Sequence, residues 1–540
     1  MCGIFVGLGS VIHDDCAHCI NTLRARGPEG SCVKEFQGGL IGFTRLAING
    51  LTKEGMQPME FGGTLSATNG EIYNWAALEE KHKLHCNSGS DCEVIGALYQ
   101  HFAGKPFALL ANLFNSLDGV FATAIIDYSH GYAILARDPY GVRPLYKGTR
   151  TVYSNERVKE EQVFFASEVK ALTPLCSTIT PFTPGTFEVY DISTRALLHS
   201  ASYHSTVINP LPAFTSVEAS SIAIKEAFIS AVKKRMLTER PIAALLSGGL
   251  DSSLVASLLA EELRKAKAPP LKTFSIGMAG SSDLAYAKKV AQWIHSDHTE
   301  IVLTAEDFFK AIPQVIKDVE SYDTTTVRAS VGNWLVAKAV ASNSDCKVLF
   351  NGDGADELFG SYLYMFGAPS PRAYEQEVLR LLKDIHMFDV QRSDRSISSH
   401  GLEPRTPFLD KTFVQTVLQV PLEYRQPTSA IPEKWILRRA FDDGVTLPRE
   451  VLWRRKEAFS DGVSGDKPWY LLAQEMATRA VDLEKVLVKY VHNSPITPEM
   501  CYYRGIFEGF YPGMGTVIPY MWMPLWSDST DPSARTLKNY

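Results

Sequence analysis

The sequence predicts two halves of different fold class: an α+β first half rich in antiparallel strand, then an α/β second half on a doubly wound parallel sheet with extra C-terminal helices. Three observations carry this. Short β-type runs separated by Gly-rich turns fill the chain before residue 205, strand and helix alternate after it, and Pro-punctuated stretches lie between. A chain of 540 residues has room for roughly three to four domains at about 150 residues each. Motif order reduces this to two, residues 2–205 and 206–540.

In the first half the runs Gly39 to Ile48, Thr64 to Thr68, Phe121 to Asp127 and Gly131 to Ala136 read as strands. Cys92 to His101 reads as a helix after Asp91, because Val94, Ile95, Leu98 and Tyr99 recur at helical spacing. Pro174 to Gly185 and Ser200 to Ser216 read as linkers. In the second half, the apolar run Pro241 to Leu246 leads into a helix from Asp251. Leu271 to Ile276 precedes a helix capped by Asp283, Glu300 to Leu303 precedes helix 305–318, and Lys347 to Phe350 follows helix 328–341. Strands alternating with helices at this spacing form a parallel sheet covered on both faces, and ligands sit beyond its carboxyl ends where strand order reverses. The loops Ser247 to Ser253 and Asn351 to Glu357 are therefore the expected seat of chemistry.

Composition is that of an ordinary globular protein: 45% hydrophobic, 21% charged, net charge −6. That charge offers no global footprint for nucleic acid. No apolar window is long enough to span a membrane, and the N-terminal residues lack a secretory leader, so a cytoplasmic location is expected. Nine cysteines in a reducing compartment are expected to be mostly free thiols. Cys16 and Cys19, with His18, have the spacing of half a metal site but no second pair, and read as structural thiols. His295 and His298 read as polar loop residues.

Ser247-Gly248-Gly249-Leu250-Asp251-Ser252-Ser253, set between a strand and a helix, is a phosphate cradle. Its glycines admit an oxyanion to the backbone amides, its hydroxyls add donors, and the helix N-terminus favours negative charge. No Gly-x4-Gly-Lys-Ser/Thr string occurs, so it is not a γ-phosphate-hydrolysing loop of that type. In Asn351-Gly352-Asp353-Gly354-Ala355-Asp356-Glu357, three carboxylates within five residues repel one another unless a cation intervenes. Mg²⁺ takes one or two carboxylates plus phosphate oxygens, so Asp251 and Asp356 are the candidate ligands. Cys2 follows Met1, whose removal is expected. Its α-amine, ordinarily near pKa ~7.7 to 8.0, would then suit a thiol near ~8.5 as base.

The cradle resembles the pyrophosphate-binding loop of the ATP pyrophosphatases. Cys2-Gly3-Ile4, Arg26-Gly27-Pro28-Glu29-Gly30, Arg45-Leu46-Ala47-Ile48, Asn69-Gly70-Glu71-Ile72-Tyr73-Asn74 and Gly89-Ser90-Asp91-Cys92-Glu93 together resemble the class II glutamine amidotransferases. Both halves in this order, with Thr325-Thr326-Val327-Arg328, Glu403-Pro404-Arg405-Thr406-Pro407, Trp453 to Val463 and, more weakly, Asp531-Pro532-Ser533, are similar to the glutamine-hydrolysing asparagine synthetase family.

The resemblance implies an N-terminal-nucleophile αββα sandwich in which Cys2 attacks glutamine and Asn69 with the Gly70 amide forms the oxyanion hole. Arg45 would bind the glutamine α-carboxylate beside Ala47 and Ile48, and Glu71 and Asp91 would take its α-amino end. It implies ATP held by Leu246, Ser247, Gly248, Gly249, Asp251, Ser252, Ser253, Ile276, Asn351 and Gly352. Thr325, Thr326 and Arg328 would lie near aspartate and phosphates, and Lys456 would neutralise departing pyrophosphate. Asp353 would serve the ammonia step. It stands where Glu is common in the aspartate-using enzymes, so one missing methylene has to be met by a shift elsewhere. Glu29 and Ala47 are further departures, from Asp and Ser.

The implied reaction is glutamine-dependent, ATP-driven amidation of aspartate through β-aspartyl-AMP, with glutamine, aspartate, ATP and Mg²⁺ as small-molecule partners and a homodimer left open. Amidation of another carboxylate by the same chemistry is the enzymatic alternative. A binding or storage protein on this scaffold would need a lost catalytic position, and none is lost.

Overall fold

A computed structural model describes every residue except 11–12, 155–156, 209–212, 458–461, 466, 482–489 and 538–540. Pro210 and Pro212 of the second expected linker, and Ala458 to Asp461 of the Trp453 to Val463 motif, lie outside the described residues. Two compact units form. The first holds Met1–Ser205 with Thr238–Arg240 and Ser398–Leu402; the second holds Thr206–Leu237, Pro241–Ile397 and Glu403–Tyr540.

Among the described residues the first unit has twelve strands: β1 (Gly3–Leu8), β2 (Gly30–Phe36), β3 (Gly39–Arg45), β4 (Met59–Phe61), β5 (Thr64–Ile72), β6 (Gly119–Asp127), β7 (Tyr132–Arg137), β8 (Tyr146–Ser154), β9 (Arg157–Ala166), β10 (Thr178–Pro181), β11 (Thr186–Asp191) and β12 (Leu197–Ser202). They make two six-stranded sheets, β10-β8-β9-β1-β3-β2 and β12-β11-β7-β6-β5-β4. Neighbours in both run antiparallel. Period-two alternation explains the layering. Ile4, Val6 and Leu8 of β1 and Ile41 and Phe43 of β3 meet Leu65, Ala67, Ala122, Ala124 and Ile126 of the other sheet in one core. The opposite face of the second sheet, through Ile72, Phe121, Ile125 and Ile134, is covered by helices α2 (Trp75–His82), α3 (Glu93–Tyr99) and α4 (Leu110–Ser116). Helix α1 (His13–Asn21) lies on the outer face of β1 and β3, completing an αββα sandwich.

The expected linker from Pro174 to Gly185 is instead part of this sandwich. Its residues 178–181 pair with β8 as β10, and Phe182 is buried in the inter-sheet core. Pro181 at a strand end costs little, because an edge strand can spare one donor.

In the second unit β13 (Ile242–Leu245), β14 (Lys272–Gly277), β15 (Asp297–Val302), β16 (Val348–Phe350) and β17 (Glu403–Arg405) form one parallel sheet in the order β15-β14-β13-β16-β17. Helices α5 (Val217–Lys234), α6 (Leu250–Lys265) and α7 (Ser282–Ile294) precede or connect the first strands, and α8 (Ala305–Val319) and α9 (Thr324–Asn343) lead back to β16. Strand order reverses between β13 and β16, the place at which such sheets bind ligands.

Three local expectations are corrected. The helix expected to be capped by Asp283 is capped by Ser281, whose Oγ accepts from the Leu284 amide, while the Asp283 carboxylate pairs with Arg454. The third strand starts at Asp297 rather than Glu300, because its register against β14 runs from Lys272↔Asp297 to Gly277↔Val302. His298 is therefore a strand residue, its ring between the hydroxyls of Thr273 and Ser275 at 2.9 and 3.1 Å. The fifth strand, β17, is an addition. Three residues with a central Pro carry no periodic signal, yet they pair along β16.

Phe228 of α5 is buried among Phe408 and Phe413, ring centroids 4.4 and 4.9 Å away. Phe228→Ala is expected to lower the unfolding free energy of the second unit by about 3–5 kcal/mol, measured by denaturant titration.

Candidate active sites

Cys2 sits immediately before β1, whose six residues are all buried. A side chain at position 3 would meet Thr44 Oγ1 at 2.6 Å and Leu23 Cβ at 2.7 Å, so glycine there lets the chain end tuck in. The Cys2 nitrogen, a peptide nitrogen in the unprocessed chain and an α-amine once Met1 is removed, donates to Asn69 Oδ1 at 3.0 Å. Its carbonyl accepts from Arg26 Nε at 3.0 Å. Arg26 is wholly buried and is itself fixed by Glu168 and by Ser398 Oγ, at 2.8 and 2.9 Å. Both backbone groups of Cys2 are thus anchored, which aims its thiol.

Asn69 is buried on β5 with its Oδ1 committed to Cys2, and its Nδ2 has no hydrogen-bond partner among the described residues. A buried N–H without an acceptor is costly, and beside a nucleophile it is a donor in wait for a developing oxyanion. Gly70 follows, where a Cβ would lie 2.2 Å from the Val120 carbonyl.

The buried Arg45 guanidinium gives its hydrogen bonds to the Thr52 carbonyl at 2.7 Å and to the Gly50 carbonyl, and burial pulls its pKa down. Held by carbonyls, it makes no ion pair among the described residues. Opposite in charge, buried Glu71 and Asp91 share the Asn49 side-chain amide, at 2.8 and 3.4 Å, and Asp91 also takes the Ile72 amide at 2.6 Å. A cation for the carboxylates and an anion for Arg45 describe the two ends of a free amino acid. Ala47 and Ile48 lie buried in the loop after Arg45. Asn49 carried no motif signal in the sequence.

The second site is a cavity of about 320 Å³ at the carboxyl ends of β13 and β16. Of the expected residues, Leu246, Ser247, Gly249, Asp251, Ser252, Ile276, Thr325, Thr326, Arg328, Asn351, Gly352, Asp353, Asp356 and Lys456 line it. Gly248 and Ser253 do not line it. Gly248 has φ +75° and lies close against Tyr286 and Ala287, and Ser253 is fully buried with its hydroxyl unpartnered among the described residues. Ser247 Oγ and Ser252 Oγ hydrogen-bond each other at 2.9 Å across the cradle. A Cβ on Gly352 would meet Asp251 Cβ and the Ser252 amide, both at 2.8 Å, so the two loops touch through a glycine.

Each of the three clustered carboxylates has its own protein partners. Asp353 pairs with Arg392 at 2.9 Å, Glu357 accepts from the Tyr362 hydroxyl, and Asp356 takes two lysines, Lys434 at 2.6 Å and Lys456 at 2.5 Å. Lys434 is buried and also reaches Asp251 at 2.5 Å, bridging the phosphate loop to the acidic loop. Burial opposes its charge, but Asp251 and Asp356 more than offset this and raise it above the ordinary lysine range. Burial likewise resists ionisation of Asp356, and Lys434 and Lys456 overcome it to hold the carboxyl well below its usual range. Asp251 shifts the other way, pushed up by burial and by the Asp356 charge against the pull of Lys434. Sequence reading missed Lys434, which stands in no glycine-rich or acidic motif.

Asp251 Oδ1 is buried without a hydrogen-bond partner among the described residues, which suits a Mg²⁺ completed by phosphate oxygens. Asp353, the shortened acid, has its Oδ1 on Arg392, and burial raises its pKa. Arg328 is committed to two carboxylates, Glu499 and Asp531 of the C-terminal segment, the latter at 2.9 and 2.8 Å. It braces the cavity wall. Of the neighbouring threonines, Thr326 donates to Asp323 at 2.8 Å while the Thr325 hydroxyl is unpartnered among the described residues.

A family model described as a glutamine amidotransferase domain matches residues 1–224, and one described as asparagine synthase matches 223–377 and 368–495. A glutamine amidotransferase joined to an ATP-using synthetase defines a class of carbon–nitrogen ligases. Asparagine synthetase [glutamine-hydrolyzing] of Gallus gallus and that of Cricetulus griseus are each 40% identical to this chain, and that of Homo sapiens 39%, every alignment covering 100% of this chain and 99% of the relative. The chain belongs to the glutamine-hydrolysing asparagine synthetase family: it is a ligase of asparagine biosynthesis, driven by ATP with glutamine as amide donor.

Gly352→Ala is expected to part the two loops and lower synthetase turnover on the order of 10²-fold while glutamine hydrolysis persists, read by parallel asparagine and glutamate assays. Lys434→Met leaves two half-buried carboxylates without their shared cation and is expected to cost about 1–3 kcal/mol at pH 7. Asp356 has a depressed pKa, so its contribution is full above the ordinary carboxylate value near ~4 and is lost as pH falls through the folded value. The gap in unfolding free energy between wild type and Lys434→Met should therefore narrow in acid, measured by urea titration at several pH values.

Proposed function

We propose that residues 2–205 and 206–540 divide the reaction between a glutaminase and a synthetase. In the first, the Cys2 α-amine takes the thiol proton and Sγ attacks the glutamine side-chain carbonyl. Asn69 Nδ2 and the Gly70 amide receive the oxyanion, ammonia leaves as the thioester forms, and water then releases glutamate. Arg45 holds the α-carboxylate, and Glu71 and Asp91 hold the α-ammonium. The observation that carries this is Asn69, whose one free donor lies beside the nucleophile it anchors.

In the second, the aspartate β-carboxylate attacks the α-phosphorus of ATP, with pyrophosphate leaving onto the Ser247 to Ser252 cradle. Lys456 and the Lys434 bridge supply positive charge there, and Thr325 offers a hydroxyl to the substrate. A Mg²⁺ held by Asp251 and Asp356 would neutralise phosphate charge when bound. Asp353, braced by Arg392, takes a proton as ammonia displaces AMP from the β-aspartyl adenylate. One feature supports a cytoplasmic setting: none of the nine cysteines forms a disulfide.

With glutamine, aspartate, ATP and Mg²⁺, the purified protein is expected to release asparagine, AMP, pyrophosphate and glutamate in equal amounts. ADP and phosphate in place of AMP and pyrophosphate would refute adenylation. Cys2→Ala should abolish glutamine-dependent synthesis and keep the ammonia-dependent reaction, whereas loss of both would make Cys2 structural. Mass spectrometry should find Met1 removed.

A further inference from the structure

Residues 46–50, which follow Arg45 at the end of β3, carry much of the glutamine site. The Leu46 carbonyl lies 3.6 Å from Cys2 Sγ, the Gly50 carbonyl holds Arg45, and Asn49 orients Glu71 and Asp91. No strand ladder fixes this loop. Its backbone groups go to a remote segment, Thr238–Arg240, which belongs to the first unit although it is distant in sequence. Arg240 Nε donates to the Ala47 carbonyl at 2.8 Å, and Arg240 Nη2 pairs at 2.8 Å with Glu29, which accepts from the Ala47 amide at 2.8 Å. Both polar groups of Ala47 are thereby closed into one ring. The Glu239 amide donates to the Ile48 carbonyl at 3.1 Å, and its carboxylate takes the Gly50 amide at 2.6 Å. Gly50 has φ +59°, and a Cβ there would lie 2.6 Å from the Ser88 carbonyl and the Ser90 amide, so this end of the loop has little room to settle elsewhere.

We propose that Glu239 and Arg240 are positioning residues for glutamine: they hold loop 46–50 so that Arg45, Asn49 and the acidic pair present a finished amino-acid pocket. The inference rests on the glutaminase reading and deepens it. Arg240 forks between a carboxylate and a carbonyl, a geometry lysine cannot reproduce. Glu29 reaches both the loop amide and this guanidinium. Neither Glu239 nor Arg240 hydrogen-bonds the anchors of Cys2, so the effect belongs to substrate capture rather than to the chemical step.

The test measures Arg240→Ala, Arg240→Lys and Glu239→Ala in the full chain. Arg240→Ala and Glu239→Ala are expected to raise KM for glutamine on the order of 10- to 100-fold with kcat changed by less than about threefold, and to leave ammonia-dependent synthesis at the wild-type rate. Arg240→Lys should fall between. An unchanged KM for glutamine, or equal loss of the ammonia-dependent reaction, would overturn the proposal, the second outcome marking the pair as general scaffold. Amide hydrogen exchange over residues 46–50 tests the clamp independently of turnover. Faster exchange in Arg240→Ala supports it even if the wild type fails to hydrolyse glutamine, a failure that sinks the glutaminase reading alone; unchanged protection overturns the clamp.

Discussion

The synthetase site depends on one buried ammonium. Lys434 stands between Asp251, from the loop after β13, and Asp356, from the loop after β16. A cation so far out of water is tolerated only if it is paired, and two carboxylates that close are tolerated only if a cation separates them. Each side thus requires the other, and the requirement fixes how far apart the phosphate cradle and the acidic loop can sit. The close approach at Gly352 then follows, because with the loops pinned at that distance no side chain fits between them. Lys456 adds a second cation on the other oxygen of Asp356, so two lysines stand against the carboxylates of the two loops.

The glutaminase unit solves a different problem, holding the start of a chain still. Chain ends fray unless they are tied down. Here the tie is a strand buried on both faces directly after the nucleophile, with hydrogen bonds to both backbone groups of Cys2. Asn69 anchors the Cys2 nitrogen with its oxygen, while its amide nitrogen has no partner among the described residues and is open to the proposed substrate. The cost is an unsatisfied buried donor, and such a cost is typical of a site that awaits a ligand.

Much of this was legible from residues near one another in sequence. The Ser247 to Ser253 cradle could be read because two glycines, hydroxyls and a helix start are local requirements of an oxyanion. The strands of both sandwich sheets could be read wherever alternation ran long enough. Legibility failed where pairing decided the outcome. β17 and β10 are short and proline-bearing, and only the neighbouring strand makes them strands. His298 moved from loop to strand because its register against β14 extends three residues earlier than its apolar pattern. Arg328 lines the cavity, but its partners Glu499 and Asp531, 171 and 203 residues away in sequence, carried no local signal.

The sequence by itself determined the two fold classes, the glycine-rich loop Ser247 to Ser253 and the acidic loop, and it offered Cys2 and Asn69 as candidates, since each lies in a short string of characteristic residues. Tertiary structure alone decided which charges neutralise which. Lys434 with Asp251 and Asp356, Arg392 with Asp353, and Arg240 with Glu29 are all pairs of residues far apart along the chain. The physical reason is that burial makes an unpaired charge prohibitive, so partners are chosen by what the fold brings within hydrogen-bonding distance, and spacing along the chain carries no record of that choice.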